Sequence, residues 1–165
     1  YQIHSISLST KKNFFLFWAL IIMINIKEIN AKNSKSCYEL DLKSIKHWNQ
    51  NQWENELEKD YVTAIGIYLN NSILGVCVFH KIYDEAEIRY LSVHPSYKRK
   101  GLGKKLIYKI FKECRNENIK RIFLEVSMKN KQALSFYDYL GFKTICIRKK
   151  YYKDGSDALI KEKKC

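Results

Sequence analysis

The sequence is poor in proline and glycine, residues whose abundance is typical of several other classes of protein. It contains one proline and six glycines in 165 residues, with no internal repeat and no low-complexity linker. Its five cysteines are an odd number without a pair at metal-ligand spacing, so neither a disulfide framework nor a metal site is indicated. A reducing compartment fits best. Cys77, Cys114 and Cys146 fall in apolar patterns, which predicts that they pack as small hydrophobic side chains.

Acidic residues are also scarce, because 17 of them face 30 basic residues and leave a formal charge of +13. Such a balance predicts a polyanionic partner, which means nucleic acid, an acidic surface or a phosphorylated cofactor. Lysine supplies 25 of the basic residues and arginine only five. With plentiful Ile and Asn, this is the pattern that an AT-rich coding sequence produces, so drift is one interpretation of part of the charge. The length predicts one domain that buries about two-thirds of its unfolded surface.

Long apolar runs are absent except for Phe14 to Ile24, which has eleven residues. A bilayer span needs about 20. The preceding lysines imitate a signal peptide, but no convincing small-residue cleavage site follows. A signal or anchor is thus one interpretation, and a first strand near Ile22 to Ile29 is the other. The sequence begins at Tyr1 rather than Met, so an incomplete or processed chain is also an interpretation. We expect a variable extension at 1–21 and one domain at 22–165.

The rest of the chain alternates between helical and strand periodicity. Two polar segments predict helices, and two apolar runs joined by Asn70 and Asn71 predict a hairpin. The predicted helices are Ala31–Leu42, Gln50–Lys59, Leu102–Asn116 and Lys131–Leu140, the last ending at Gly141. The predicted strands after the first are Val62–Leu69, Ile73–Ile82, Ala86–Val93, Arg121–Val126, Phe142–Arg148 and Asp157–Lys161. This order predicts a mixed α/β fold with helices on both faces of one sheet.

The most informative stretch runs from Tyr90 to Ile110. A strand is cut by Pro95, a basic glycine-bearing turn follows, and an amphipathic helix begins near Leu102. The free N–H groups and the positive dipole of a helix start attract anions. A basic surface loop is the alternative interpretation. Two other phosphate-loop patterns fail on spacing, one of them because Leu106 stands where a third glycine is required.

A second stretch, from Ile122 to Phe142, contains three polar candidates. Its first residues predict a strand buried on both faces, and Glu125 lies inside that run. A carboxylate there is either a buried ion pair or a catalytic base. Asn130 precedes a helix and is either an N-cap or a functional residue. Tyr137 lies on an apolar helix face, where a core aromatic is the structural interpretation.

The first stretch resembles the acetyl-CoA motif of the GNAT family of N-acetyltransferases, Gln/Arg-x-x-Gly-x-Gly/Ala after Val-x-Pro. Lys98 stands where the family usually has Gln or Arg. The resemblance implies a twisted, mostly antiparallel sheet, with loop amides that hold the pyrophosphate of coenzyme A and the Val93 N–H aimed at the reacting carbonyl. The positions it implies for cofactor binding are Leu91, Val93, Lys98, Arg99, Lys100, Gly101, Leu102, Gly103, Lys104 and Asn130.

The second stretch, LEVSMKNKQALSFYDYLGF, and the later IRKKYYKDGSDALI resemble the ribosomal-protein alanine N-acetyltransferase (RimI-like) branch of that family. The segment DEAEIRYLSVHP resembles its cyanobacterial and plastid members most. By position, the resemblance makes Glu125 the general base and Tyr137 the general acid. Asn130 becomes a pantetheine contact, and Tyr151 and Tyr152 line a peptide entrance. Two departures, at Ser127 and Ser156, put the peptide preference in doubt.

The resulting expectation is an enzyme that transfers acetyl from acetyl-CoA to the N-terminal α-amine of a protein, with a ribosomal protein as the expected target and no metal. An acetyltransferase for lysine or a small amine is one alternative, and a basic RNA- or ribosome-binding module is another. No direct nucleic-acid role and no membrane span are expected. The plastid stroma is the expected compartment, with a bacterial-type cytoplasm as the alternative.

Overall fold

The computed structural model describes residues 23–165. The expected extension at 1–21, its apolar run up to Ile22 and the signal or anchor interpretation lie outside these residues. The strands are β1 Ile24–Ile29, β2 Val62–Leu69, β3 Ser72–Ile82, β4 Glu85–Val93, β5 Arg121–Ser127, β6 Lys143–Arg148 and β7 Ala158–Lys164. The helices are α1 Ser34–Lys43, α2 Gln50–Leu57, α3 Leu102–Asn116 and α4 Lys131–Tyr139. In this part of the chain, no helix is both long and apolar enough to cross a membrane.

The strands form one sheet in the order β1-β2-β3-β4-β5-β7-β6. All neighbours are antiparallel except β4 and β5, which are parallel. A two-residue turn joins β2 to β3, and Asn70 adopts a positive φ of 54° there. Such turns favour Asn because its short polar side chain tolerates the left-handed region. The predicted hairpin and the predicted mixed sheet are confirmed.

Each face of the sheet carries its own apolar core. On one face, β2, β3 and β5 pack against α3 and α4 through side chains such as Phe79, Leu106 and Leu124. The apolar residues of α3 recur at helical spacing, so that face of α3 is buried. On the other face, α1 and α2 cover Val76, Val78 and Tyr90. Helices on both faces, as the sequence predicts, are therefore confirmed.

Some predicted boundaries and environments differ from the structure. The predicted helix at Ala31–Leu42 begins as a 3₁₀ turn over Ala31–Asn33, because Asn30 caps that turn separately. The prediction that β5 is buried on both faces is wrong, since only alternate residues are buried and Glu125 is half-buried. Cys77 and Cys114 are buried as predicted, but Cys146 is exposed on the edge strand β6.

A buried carboxylate fastens α1 and the loop before α2 to the sheet. Asp41, in α1, has no exposed surface. It accepts hydrogen bonds from the backbone N–H of His47 (3.0 Å) and Trp48 (2.7 Å) and from the Tyr90 hydroxyl (3.0 Å). The Trp53 indole N–H lies 3.4 Å from the same carboxylate. A buried charge is tolerated when hydrogen bonds satisfy it in this way.

We expect Asp41→Asn to lower the free energy of unfolding by about 1.5–3 kcal/mol, the range for a lost hydrogen bond to a charged group. The amide NH₂ can only donate, so it opposes the donors that now surround this side chain. Urea denaturation measures the change, with Asp60→Asn on the exposed Asp60 as the matched control. Equal stability of the two variants would contradict the role of Asp41 as an anchor.

Candidate active site

The two parallel strands at the centre of the sheet separate soon after they begin. β4 pairs with β5 only from Glu85 opposite Arg121 to Ile88 opposite Leu124. Beyond that point β4 continues alongside β3, and β5 continues alongside β7. The register of β3 and β4 jumps at this level and leaves Arg89 unmatched, a bulge that bends the strand. The result is a gap between Arg89–Val93 and Glu125–Ser127, called here the β4–β5 gap.

The backbone of Leu91 and Val93 faces this gap. The His94 N–H donates to the Leu74 carbonyl at 2.7 Å, while Gly75 lies opposite Val93. In an antiparallel ladder this arrangement makes Gly75 and Val93 a non-hydrogen-bonded pair, whose own N–H and C=O groups point away from each other. The N–H of Val93 therefore points to the side that β5 has left. Leu91, two residues earlier, presents the same edge.

The basic loop, Lys98–Gly101, leads from β4 into the start of α3. Arg99 and Gly101 have positive φ values of 61° and 76°. No side chain caps the first turn of α3, and that turn contains no acidic residue. The first backbone bond of the helix joins the Lys105 N–H to the Gly101 carbonyl at 3.0 Å. The N–H groups just before Lys105 thus lack an intrahelical partner, and with the helix dipole they form an anion-binding end.

The space around the two loop glycines differs. A methyl group at Gly101 would meet nothing within 4 Å, whereas one at Gly103 would lie 3.5 Å from the Phe136 ring, which is an ordinary contact. The basic side chains beside them are not tied to carboxylates. Within residues 23–165, the salt bridges involve none of Lys98, Arg99 and Lys100. Lys104 instead approaches the Tyr139 hydroxyl at 2.7 Å.

Tyr137 and Asn130 belong to α4. Tyr137 is buried and packs edge-on against Phe142 at 5.6 Å between ring centroids. Burial raises the pKa of its hydroxyl well above the ordinary value of a tyrosine. The hydroxyl therefore keeps its proton at neutral pH. Asn130 caps α4, since its side-chain oxygen accepts the Ala133 N–H at 3.0 Å. The N-cap interpretation of Asn130 is confirmed, and its exposed amide NH₂ remains on the surface.

A cavity of about 320 Å³ opens on the opposite face of the sheet, at the beginning of β4 and β5. Glu125 is the first residue of β5 beyond the pairing with β4, and it lines both this cavity and the β4–β5 gap. Its carboxylate forms a salt bridge with Arg148 at the end of β6. A hydrogen bond to that carboxylate, ahead of partial burial, raises the pKa of the Tyr151 hydroxyl. The predicted ion pair of Glu125 is therefore present, with the Glu125 side chain 17% exposed.

Other polar side chains of the cavity are absent from the candidates that the sequence provides. They are His80, Glu85, Glu87 and Arg148. Arg148 stands three residues before Tyr151, inside the segment that carries the RimI resemblance, so a signal for it existed. His80, Glu85 and Glu87 come from two strands that pair across the hairpin, and nothing in their spacing points to a shared cavity.

Tyr151 and Tyr152 contact each other, with centroids 5.2 Å apart and rings nearly perpendicular. Tyr151 is exposed at the cavity rim under the Arg148 guanidinium, which lies 5.5 Å from its ring centroid. The two departures from the branch pattern meet beside these tyrosines: Ser156 lies in the turn that follows them, and Ser127 is the last residue of β5. Ser127 and Ser156 lie 3.2 Å apart, hydroxyl to hydroxyl, and Ser156 donates to Asp154 at 2.6 Å. The two substitutions thus form one hydrogen-bonded pair.

The structure brings the predicted residues into two groups. Glu125, Tyr151 and Tyr152 lie on the cavity side of the sheet. Tyr137 and Asn130 belong to α4 on the other side, where Tyr137 shares a core with α3. The β4–β5 gap, edged by the free backbone of Leu91 and Val93, connects the two sides. Within the described residues, no three side chains of His, Cys, Asp or Glu gather as a metal site.

Comparisons with known proteins agree with this geometry. The family model of the acetyltransferase (GNAT) family matches residues 27–142. The ribosomal protein bS18 alanine N-acetyltransferase of Haemophilus influenzae is 27% identical over 128 residues, which cover 77% of this chain and 86% of that protein.

Solved structures share the fold. The Escherichia coli ribosomal-protein-S18-alanine N-acetyltransferase superposes with a TM-score of 0.81 at 24% identity, covering 86% of this chain and 94% of that one. The PaiA N-acetyltransferase of Thermoplasma acidophilum, solved with coenzyme A, has a TM-score of 0.73 at 21% identity, with coverage of 86% and 99%. Because the family model spans well over half of the sequence, this chain belongs to the GNAT family of acetyltransferases.

Proposed function

We propose that this chain transfers acetyl from acetyl-CoA to the N-terminal α-amine of a protein, and that a ribosomal protein is the target. The observation that carries the proposal is the position of Glu125. Its side chain lines the cavity, and its backbone is the first of β5 beyond the pairing with β4, at the edge of the β4–β5 gap. A proton acceptor therefore stands where an amine from the cavity meets a group held in the gap. The name of the Haemophilus influenzae relative supports the choice of target.

The residues on the other side of the sheet fit acetyl-CoA, the acetyl donor of this family. The uncapped start of α3, the open space at Gly101 and the unpaired cations of the basic loop suit a pyrophosphate. Leu91 and Val93 offer free backbone groups to an extended arm, and the exposed amide of Asn130 is a further donor. When bound, acetyl-CoA would supply the acetyl group as a thioester, with the thiolate of coenzyme A as the leaving group.

Three groups of the chain then divide the chemistry. We assign the Val93 N–H to the thioester oxygen. One such donor typically lowers the activation free energy by about 3 kcal/mol. Glu125 accepts a proton from the attacking amine, directly or through a water. We assign the Tyr137 hydroxyl, which carries a proton at neutral pH, to protonate the departing sulfur, whose ordinary pKa is about 8.5.

An α-amine suits this machinery better than a lysine does. The pKa of a protein α-amino group is about 7.7–8.0, against about 10.4 for lysine. At pH 7 about a tenth of α-amines are already neutral, several hundred-fold more than lysines. The Glu125 carboxylate is half-buried and paired with an arginine, so an amine that is already partly neutral reacts more readily at this site. The exposed Tyr151 and the adjacent Tyr152 are the side chains that we assign to the first residues of the peptide.

The compartment stays a prediction. The relatives named above are bacterial proteins, which favours a compartment of the bacterial type. We propose the plastid stroma on the resemblance of the segment Asp84–Pro95 to plastid and cyanobacterial members. An RNA-binding function alone would leave the cavity around Glu125 without a role.

Gly101→Ala should weaken acetyl-CoA binding at least tenfold, while Gly103→Ala should change it less than threefold. The first methyl enters the open space that we assign to the pyrophosphate and sits on a backbone with φ of 76°, whereas the second makes only an ordinary contact with Phe136. Isothermal titration calorimetry measures both affinities. Equal losses at the two glycines would show that the loop is placed wrongly.

Glu125→Gln should lower kcat/KM for a peptide about 10²–10⁴-fold at pH 7, the range for loss of a general base. Part of the activity should return as the pH rises, because hydroxide then accepts the proton that Glu125 takes in the wild type. Steady-state kinetics between pH 6.5 and about 9 measures this, with the exposed Glu117→Gln as the matched control. A variant that unfolds would instead support a purely structural ion pair with Arg148.

Two matched peptides test the acceptor. One carries a free N-terminal Ala or Ser, and the other is blocked at its N-terminus and carries an internal lysine. We expect the free N-terminus to be acetylated at least tenfold faster, for the pKa reason given above. Mass spectrometry of the products identifies the modified nitrogen. Faster acetylation of the blocked lysine peptide would replace this acceptor with the lysine alternative and would leave the acetyl-CoA site in place.

A further inference from the structure

The cavity that contains Glu125 also contains a histidine with a carboxylate behind it. His80, near the end of β3, lines the cavity and has a side chain only 14% exposed. Its Nε2 atom is hydrogen-bonded to Glu56 of α2, which is itself buried. The Tyr61 ring packs edge-on against the imidazole at 5.1 Å. The three elements that meet here hold the ring in one orientation.

The Glu56 carboxylate is kept ionised by its neighbours. Burial acts to raise its pKa, but hydrogen bonds from Lys59 and His80 outweigh burial, so the pKa is lowered overall. The Lys59 ammonium lies 2.5 Å from the second carboxylate oxygen. An ionised carboxylate only accepts hydrogen bonds, so the Nε2 of His80 carries hydrogen. In a neutral ring the lone pair then sits on Nδ1, which makes no hydrogen bond within residues 23–165.

The proposed reaction requires more than one proton acceptor at the amine. An incoming ammonium group loses one proton before it attacks and a second when the amide forms. The Glu125 carboxylate is already engaged by Arg148 and Tyr151. A base whose tautomer is fixed by a carboxylate behind it is the arrangement that activates nucleophiles in other enzymes. His80 and Glu56 have that arrangement in the same cavity.

We propose, on the basis of the function proposed above, that His80 is a second catalytic base that removes the first proton from the incoming ammonium group. The N–H bond of the ammonium breaks, its electron pair stays on nitrogen, and the proton bonds to Nδ1 of His80. Glu56 is a positioning residue: it keeps its negative charge, fixes the tautomer and stabilises the imidazolium. Glu125 then takes the second proton, and His80 returns its own to solvent.

Several titratable groups lie around His80. Glu56 approaches from α2, Lys59 from the residues just after α2, and Tyr61 from the segment before β2. Glu87 is the cross-strand partner of His80. The remaining charged groups around the cavity are Glu85 with Arg121, Glu87 with Arg89, and Glu125 with Arg148, each carboxylate in a salt bridge. Each of these cavity carboxylates already has an arginine partner, so Glu56 is the carboxylate that pairs with His80.

The test compares His80→Gln with wild type on the free N-terminal peptide across pH. Gln can still donate to Glu56 but cannot take a proton. We expect kcat/KM to fall about 10²-fold at pH 7 and the deficit to shrink to less than about threefold near pH 9, where the amine is neutral without help. The affinity for acetyl-CoA and the Tm should stay unchanged. Glu56→Gln should also lower kcat/KM more at pH 7 than near pH 9, but by a smaller factor than His80→Gln.

His47→Gln is the matched control, because the His47 ring is exposed and only its backbone N–H contacts Asp41. A His80→Gln variant with the wild-type pH profile, or one that loses Tm while its profile keeps the same shape, would overturn the role of His80 alone. A wild-type protein that fails to acetylate the peptide would overturn the proposed function and this inference together. The two failures are therefore distinguishable.

Discussion

The limited pairing of β4 with β5 is the constraint on which the rest of the site depends. Four residues of each strand pair with each other. Beyond them, β4 stays paired with β3, and β5 stays paired with β7. The separation leaves the N–H of Val93 without a partner in the sheet. It also opens a passage between the face covered by α3 and α4 and the face that carries the cavity. The roles that we propose for Tyr137 and Glu125 in one reaction require this passage.

Charge is divided between the two sides of that passage. The chain has a formal charge of +13, yet three glutamates line the cavity, and arginines pair with all of them. The basic loop on the other side has cations without carboxylate partners in the described residues. An anionic cofactor is therefore attracted to one side, while a cationic amine meets carboxylates on the other. The net charge alone suggested nucleic acid as readily as a phosphorylated cofactor.

Much of the fold follows from the sequence because periodicity and turn residues agree there, as at Asn70 and along α3. The basic loop and the cap at Asn130 were also predictable, since both depend on neighbouring residues. The cavity was not. Its His80 and Glu125 come from strands far apart in sequence. Glu56 contacts His80 from a helix whose sequence is typical of a solvent-exposed one. Ser127 and Ser156 were visible as separate departures, but only the fold joins them.

The central claim is that acetyl-CoA lies in the β4–β5 gap with its phosphates at the start of α3. An amide-resolved NMR titration with acetyl-CoA tests it most directly. The account predicts saturable shifts of the amides of Leu91, Val93 and the loop from Arg99 to Lys104, with little change in β1. Saturable binding that leaves Val93 and the loop unperturbed, or no binding at millimolar acetyl-CoA, would contradict it.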